Sequence, residues 1–222
     1  MSRGVFITAT GTDVGKTYVT ALLVKKMRES GYNTGYYKAA LSGAERVCDS
    51  DAGYVNRIAG IGQPEETLVS YIYKTAVSPH LAAKLEGNPP ELEKIKSDYA
   101  KVSRKYNYIA VEGSGGIVCP VRWDESAHIL LEDVIKVLGL GAVIVADAGL
   151  GTINSVVLTV EYMKNREIDV RGIILNHYNG SLMHRDNAAM IEQLTGAQII
   201  SKIGENDEDL DVSGELLETL FR

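Results

Sequence analysis

Residues equipped to handle phosphate stand near the start of the chain. Thr10-Gly11-Thr12-Asp13-Val14-Gly15-Lys16-Thr17 follows a short apolar run and opens an amphipathic one. Between a strand and a helix, such a loop turns backbone N–H groups toward an anion, and the helix N-terminus adds the favourable end of its dipole. Lys16 then reaches the β- and γ-phosphates of a nucleotide, and the Thr17 hydroxyl suits Mg²⁺. The strict pattern G-x-x-x-x-G-K-[ST] needs its first glycine at position 10, where this chain has Thr10, with Gly11 next. The placement of Gly15-Lys16-Thr17, more than the pattern match, carries the reading.

Further polar residues follow other apolar runs. Lys38 is expected at the end of a short strand, its ammonium on the same rim as the phosphate loop, where a second cation stabilises charge developing in a transition state. Mg²⁺ with a nucleotide takes one or two protein carboxylates, and two apolar runs end in one, Val111-Glu112 and Ala146-Asp147. Spacing leaves both open; Glu112 has the better neighbourhood, because Gly113-Ser114-Gly115-Gly116 permits close backbone approach. Asp51 reads first as a helix N-cap, Ser42 as a turn residue able to hydrogen-bond a substrate, and Asn176 closes a further run. The four histidines show no metal-ligand spacing, and Cys48 and Cys119 read as two reduced thiols.

These residues need a scaffold that brings the ends of several runs together. Val5–Ile7, Tyr108–Val111, Ala142–Ala146 and Gly172–Leu175 are continuously apolar, as strands covered on both faces are. Residues 34–38 and 198–202 are shorter candidates. Helical patterns fall at 16–30, 51–59, 92–106, 153–166, 185–194 and 213–221. The alternation predicts an α/β fold with a doubly wound, mostly parallel sheet and helices on both faces. Ligands of such sheets bind where strand ends lead into helices. Residues 1–222 read as one P-loop α/β domain.

Composition narrows the function classes. With 45% hydrophobic and 23% charged residues the chain has the balance of a soluble globular protein. Its net charge of -6, without a dense Lys/Arg block, argues against nucleic acid or anionic membrane as main partner. Neither a signal peptide nor a membrane span is expected at the N-terminus or elsewhere, so the expected location is the cytoplasm.

The chain resembles the dethiobiotin synthetases, P-loop ligases of biotin biosynthesis, over nearly its full length. The resemblance rests on residues 10–17, Tyr37-Lys38 with Ser42-Gly43, Ser50-Asp51-Ala52, Ser78-Pro79-His80, Val111 to Gly116 and Gly151-Thr152-Ile153-Asn154. It implies Mg-ATP-dependent closure of a ureido ring from 7,8-diaminononanoate and CO₂ or bicarbonate, through a carbamate and its phosphorylated form. The family's catalytic roles fall on Lys16, Lys38 and Thr12. Its ATP contacts fall on Asp13, Val14, Gly15, Lys16, Thr17, Tyr18, Asp51, Glu112, Gly113, Ser114, Gly115, Asn176 and His177, with Asn176 beside the adenine. Thr17, Asp51 and Glu112 match the Mg²⁺ ligands, which favours Glu112 over Asp147. Thr12 and Ser42 match contacts to the diamine. Gly151, Thr152 and Asn154 match a clamp for the substrate carboxylate supplied by the partner subunit of a homodimer. Asp13, Ala39 and Ser114 stand where the family often has Glu, Pro and Ala, and residues 205–222 carry no specific match. The alternative reading is a ParA/MinD-like switch ATPase. Against it, Gly11 occupies the place of that group's signature lysine, and basic or amphipathic docking segments are absent from the sequence. A cobyrinate-type amidotransferase would need a glutaminase domain for which 222 residues leave no room.

Overall fold

The computed structural model describes residues 2–221. The elements run in the order β1 (Arg3–Ala9), α1 (Lys16–Glu29), β2 (Thr34–Ser42), α2 (Asp51–Ile58), β3 (Val69–Tyr73), α3 (Pro79–Glu86), α4 (Leu92–Val102), β4 (Tyr108–Glu112), β5 (Pro120–Trp123), β6 (His128–Leu130), α5 (Leu131–Leu138), β7 (Gly141–Asp147), α6 (Thr152–Asn165), β8 (Val170–Asn176), α7 (Leu182–Thr195), β9 (Ile199–Lys202) and α8 (Gly214–Glu218). Seven strands form one sheet in the order β3-β2-β4-β1-β7-β8-β9, and every pairing in it is parallel. β5 and β6 form a separate antiparallel pair.

The apolar runs become buried strands because each face of the sheet has its own helices. One core joins Phe6, Val111, Ile144 and Leu175 to Ala82 of α3, Ile95 of α4, Val134 of α5, Val156 of α6 and Ile191 of α7. The other joins Val5, Ile7, Ala110 and Val145 to Val19, Leu23 and Met27 of α1, Val55 of α2 and Leu217 of α8. The fold is therefore doubly wound, as expected. Strand order reverses beside β1, whose chain continues toward β2 on one side while β7 lies on the other. That reversal opens a crevice at the carboxyl end of β1, where the phosphate loop sits.

Several boundaries differ from the sequence expectation. β2 runs on to Ser42 rather than ending at Lys38, because it gains an edge partner in β3. β3 has a mixed burial pattern without the continuous apolar signal that marks the central strands. The short α3 and α5 and the β5–β6 pair were likewise not foreseen. α4 stops at Val102, short of Tyr106, and α7 begins at Leu182, where Ser181 Oγ accepts a hydrogen bond from the His184 N–H. No helix among the described residues is long and apolar enough to cross a membrane.

Candidate functional site

The phosphate loop owes its shape to glycine and to one asparagine. Gly15 has φ +83°, and a Cβ there would lie 2.1 Å from Asn176 Nδ2. The backbone conformation disfavours an L side chain, and an added Cβ would displace the Asn176 amide. Asn176 Nδ2 donates to Val14 O at 3.0 Å, so the end of β8 supports the loop from below. Thr10 N–H donates to Val145 O at 3.0 Å and anchors the loop's entry to β7. Residues Gly11, Thr12, Asp13, Gly15, Lys16, Thr17, Lys38, Ser42, Asp51, Ser114 and Gly115 line a cavity of about 250 Å³. A wider cavity of about 770 Å³ shares Asp13, Gly15, Thr17, Ser42 and Asp51 with it and extends past Tyr18, Leu41, Tyr54 and Arg57.

At the floor of the smaller cavity four charged side chains and two hydroxyls meet. β2 and β4 pair with Lys38 opposite Glu112, so the two side chains share the face covered by α1. Lys38 Nζ donates to Glu112 Oε1 at 2.9 Å and to Asp51 Oδ2 at 2.7 Å. Thr17 Oγ1 donates to the same Glu112 oxygen at 2.9 Å, and Lys16 Nζ stands 3.6 Å from it. Tyr36, two residues before Lys38 on the same face of β2, donates its hydroxyl to Glu112 Oε2 at 3.2 Å. Lys38 is only 3% exposed. Burial works to lower its pKa, but Glu112 and Asp51 outweigh that and hold it above the ordinary lysine value. For Lys16 burial wins, and its pKa is lowered despite Glu112. Burial, reinforced by Glu112, drives the Tyr36 phenol well up, so this residue acts only as a neutral donor. Two cations and two anions cancel here, so entry of a polyphosphate creates a demand for positive charge that the lysines can meet by turning toward it.

Two local expectations are corrected. Lys38 is not a strand-end residue on an open rim. It reaches the site because β4 stops at Glu112 while β2 continues. Asp51 is not the N-cap of α2: Ser50 takes the cap position and Asp51 is the first helical residue, its carboxylate free for Lys38. Partial burial would raise Asp51, but Lys38 outweighs it and the carboxyl is held below its usual value.

The other predicted residues divide between those gathered at this crevice and those held apart. Gly113 packs so closely on Phe6 that a Cβ would lie 2.8 Å from its ring, Ser114 Oγ donates to Ala40 O at 2.8 Å, and Gly115 takes φ +67°. Together they bend the chain after β4 over the phosphate loop. Ser42 Oγ donates to Val77 O at 2.6 Å, and the residue lines the cavity. The Tyr18 hydroxyl bonds Asp207 O. His177 sits beside Asn176 and pairs through Nδ1 with Asp147 Oδ2 at 2.6 Å. Asp147, the alternative strand-end acid, thus belongs to a second cluster and not to the lysines. Gly151, Thr152 and Asn154 begin α6 and line neither cavity; Asn154 is exposed, while Thr152 Oγ1 is buried without a hydrogen-bond partner among the described residues. Sequence reasoning missed Tyr36, which the two-residue period of β2 would have placed beside Lys38.

The AAA domain family matches residues 3–211. An ATP-dependent dethiobiotin synthetase BioD of Brachyspira hyodysenteriae is 51% identical over 222 residues, covering 100% of both chains. One of Clostridium botulinum (strain Langeland) is 55% identical over 192 residues, covering 84% of each. Among solved structures, the MinC:MinD cell division protein complex of Aquifex aeolicus is similar with a TM-score of 0.57 at 16% identity, covering 93% of this chain and 83% of that one. At that identity the likeness is one of fold.

Proposed function

From the premise that the chain belongs to the dethiobiotin synthetase family, an ATP-dependent ligase of biotin biosynthesis, we propose how its residues carry the reaction. The observation that supports the reading best is the convergence of Lys16 and Lys38 on Glu112 beneath the phosphate loop. One amine of 7,8-diaminononanoate adds to CO₂ and loses a proton, giving a carbamate. A carbamate oxygen attacks the γ-phosphorus of ATP, releasing ADP and forming a carbamic–phosphoric anhydride. The second amine then attacks the carbamate carbon, closes the ureido ring and expels inorganic phosphate.

In this scheme Lys16 and Lys38 leave Glu112 to face the transferring phosphoryl group and the carbamate, where they stabilise negative charge better in the transition state than in the ground state. Before substrate enters, Asp51 and Glu112 hold Lys38 protonated, so it is a cation when it turns to the carbamate. Thr12 and Ser42, on the cavity wall, position the diamine. The donor set of Glu112, Asp51 and Thr17 is all oxygen and fits Mg²⁺, which when bound neutralises charge on the phosphates. No group of three or more His, Cys, Asp and Glu placed to hold a metal ion by itself occurs among the described residues, in keeping with an ion that completes its shell with phosphates and water. Tyr36 and Gly113 keep Glu112 and the following loop in place.

Two further parts of the reading concern assembly. Seven of the nine strands between residues 3 and 202 share one sheet, which supports a one-domain organisation of residues 1–222. Exposed Leu150 precedes α6 beside Gly151, Thr152 and Asn154, and exposed Leu158 lies one turn beyond Asn154 along the helix. An apolar face next to residues that do not reach their own chain's cavity supports a homodimer in which each subunit completes its partner's site.

The test is direct. Purified protein with Mg-ATP, bicarbonate and the diamine is expected to yield the cyclic urea by mass spectrometry. ATP hydrolysis that proceeds equally without the diamine, with no urea formed, would sink the proposal.

A further inference from the structure

Glu112 presents its two carboxylate oxygens to different partners. Oε1 accepts from Lys38 Nζ and from Thr17 Oγ1, each at 2.9 Å, with Lys16 Nζ at 3.6 Å. Oε2 accepts from the Tyr36 hydroxyl at 3.2 Å and from no other group among the described residues. The Glu112 side chain is 0% exposed, so bulk solvent supplies Oε2 no alternative.

The partners of Oε1 move in the scheme above: the lysines turn to the phosphoryl group and the carbamate, and Thr17 to the ion. Tyr36 cannot follow them. It is fully buried within β2 and stands opposite Ala110 of β4. On its other edge β3 begins to pair only at Lys38, opposite Val69. There the buried Gln63 side chain takes the place of a strand: its Oε1 accepts from the Tyr36 N–H at 3.1 Å, and its Nε2 donates to Tyr36 O at 2.9 Å. Asn56 of α2 holds Gln63 in turn, its Oδ1 accepting from the Gln63 N–H at 3.0 Å and its Nδ2 donating to Gln63 O at 2.9 Å. The phenol is therefore aimed at Oε2 from a backbone whose polar groups are paired.

We infer that Tyr36 keeps Oε2 out of the coordination shell, so that Glu112 offers an ion Oε1 alone and the site selects Mg²⁺ over Ca²⁺. The inference rests on the reading that Glu112 holds the ion of the metal–nucleotide complex. Mg²⁺ demands a near-octahedral shell at about 2.0–2.1 Å, which single carboxylate oxygens suit. Ca²⁺ takes about six to eight oxygens at longer distances and accepts both oxygens of one carboxylate. For Glu112 to bind through both, Oε2 has to turn away from the phenol and leave a buried hydroxyl unpaired. Tyr36 is thus a positioning residue that acts through Glu112.

The test measures the Kd of the β,γ-imido analogue of ATP by titration calorimetry in excess Mg²⁺, in excess Ca²⁺ and in EDTA. The wild type is expected to bind the Mg²⁺ complex about tenfold or more tightly than the Ca²⁺ complex. Tyr36→Phe removes only the hydroxyl and frees Oε2 to turn toward the ion. The Ca²⁺ complex should gain, bringing the two Kd values within about threefold of each other, both still tighter than in EDTA. Asp51 and Thr17 are unchanged in the variant, so the comparison isolates Glu112. If Tyr36→Phe keeps the wild-type ratio, or loses the tightening by both ions, the hydroxyl does not set the binding mode and the inference is overturned. Glu112→Gln tests the reading beneath it. If that variant loses the Mg²⁺ tightening while Tyr36→Phe keeps the wild-type ratio, Glu112 stands as a ligand and the role of Tyr36 is refuted. If Glu112→Gln keeps the wild-type dependence on Mg²⁺, Glu112 does not hold the ion and the inference falls with that reading. A wild-type ratio near unity overturns the inference outright.

Discussion

Replacing Glu112 by Gln keeps the side chain's shape and removes its charge, which isolates the electrostatics of the site. Lys38 Nζ and Lys16 Nζ lie 2.9 Å and 3.6 Å from Glu112 Oε1. At an effective dielectric of about 20 these separations correspond to gross attractions of about 6 and about 5 kcal/mol. Much of this offsets the desolvation of three buried charges, and removing one partner of a buried pair costs about 3–5 kcal/mol net. Asp51 stays beside Lys38 in the variant but is half exposed, and water limits its compensation to about 1 kcal/mol or less. Lys16, already lowered by burial, can relieve part of the excess charge by losing its proton. The expected result for E112Q is a loss of about 3 kcal/mol in unfolding free energy, read from the urea midpoint at unchanged m-value. Lys38→Met should cost a similar amount, because it leaves Glu112 facing only the more distant Lys16. The double variant should cost less than the sum by about 2 kcal/mol or more, since neither buried charge then lacks its partner. Additivity within about 0.5 kcal/mol would refute the reasoning, because it would mean the two side chains share no desolvated ion pair.

Three other outcomes are expected. Lys38→Ala should lower kcat for urea formation by about 100-fold or more while KM for ATP changes by less than about tenfold; a large loss of ATP affinity with turnover intact would show the lysine to be misassigned. Asp98 anchors α4 by accepting from Ser70 Oγ at 2.8 Å, and although burial pushes its carboxyl up, hydrogen bonds from Lys101, Lys94 and Ser70 hold it down at about 2. Its folded pKa lies below its unfolded one, so its stabilisation is present above pH about 4 and is lost as pH falls through about 2; Asp98→Asn should flatten the dependence of the urea midpoint on pH in that window. If the start of α6 serves the partner's site, mixing inactive Lys38→Ala and Asn154→Ala proteins under subunit exchange should recover up to about a quarter of wild-type activity, because half of the dimers are hybrids with one intact site. No recovery in mixtures shown to contain hybrids would place the clamp elsewhere.

Much of this was legible in the residues themselves. Continuous apolar runs marked the four central strands, because a strand covered on both faces has no polar side to show. The helical period and Gly31 marked α1, and Gly15-Lys16-Thr17 marked the anion site, because a short loop leading into a helix N-terminus is a local structure that a few residues specify. Edge and accessory elements were not legible: β3 is partly exposed, so its pattern is mixed, and the short α3 and α5 went unread although α2, of the same length, was recognised.

The strand-end acids show the boundary most clearly. Glu112 and Asp147 look alike in sequence, each closing an apolar run. Strand order separates them: β4 lies beside β2, which sets Glu112 opposite Lys38, and β7 lies beside β8, which brings Asp147 to His177 and Asn176. The sequence alone determined that a phosphate-binding loop opens a doubly wound sheet, because strand, loop and helix signals are local. Which acid meets the lysines was decided only by tertiary structure, because the pairing of strands 74 residues apart depends on how helices cover both faces of the whole sheet.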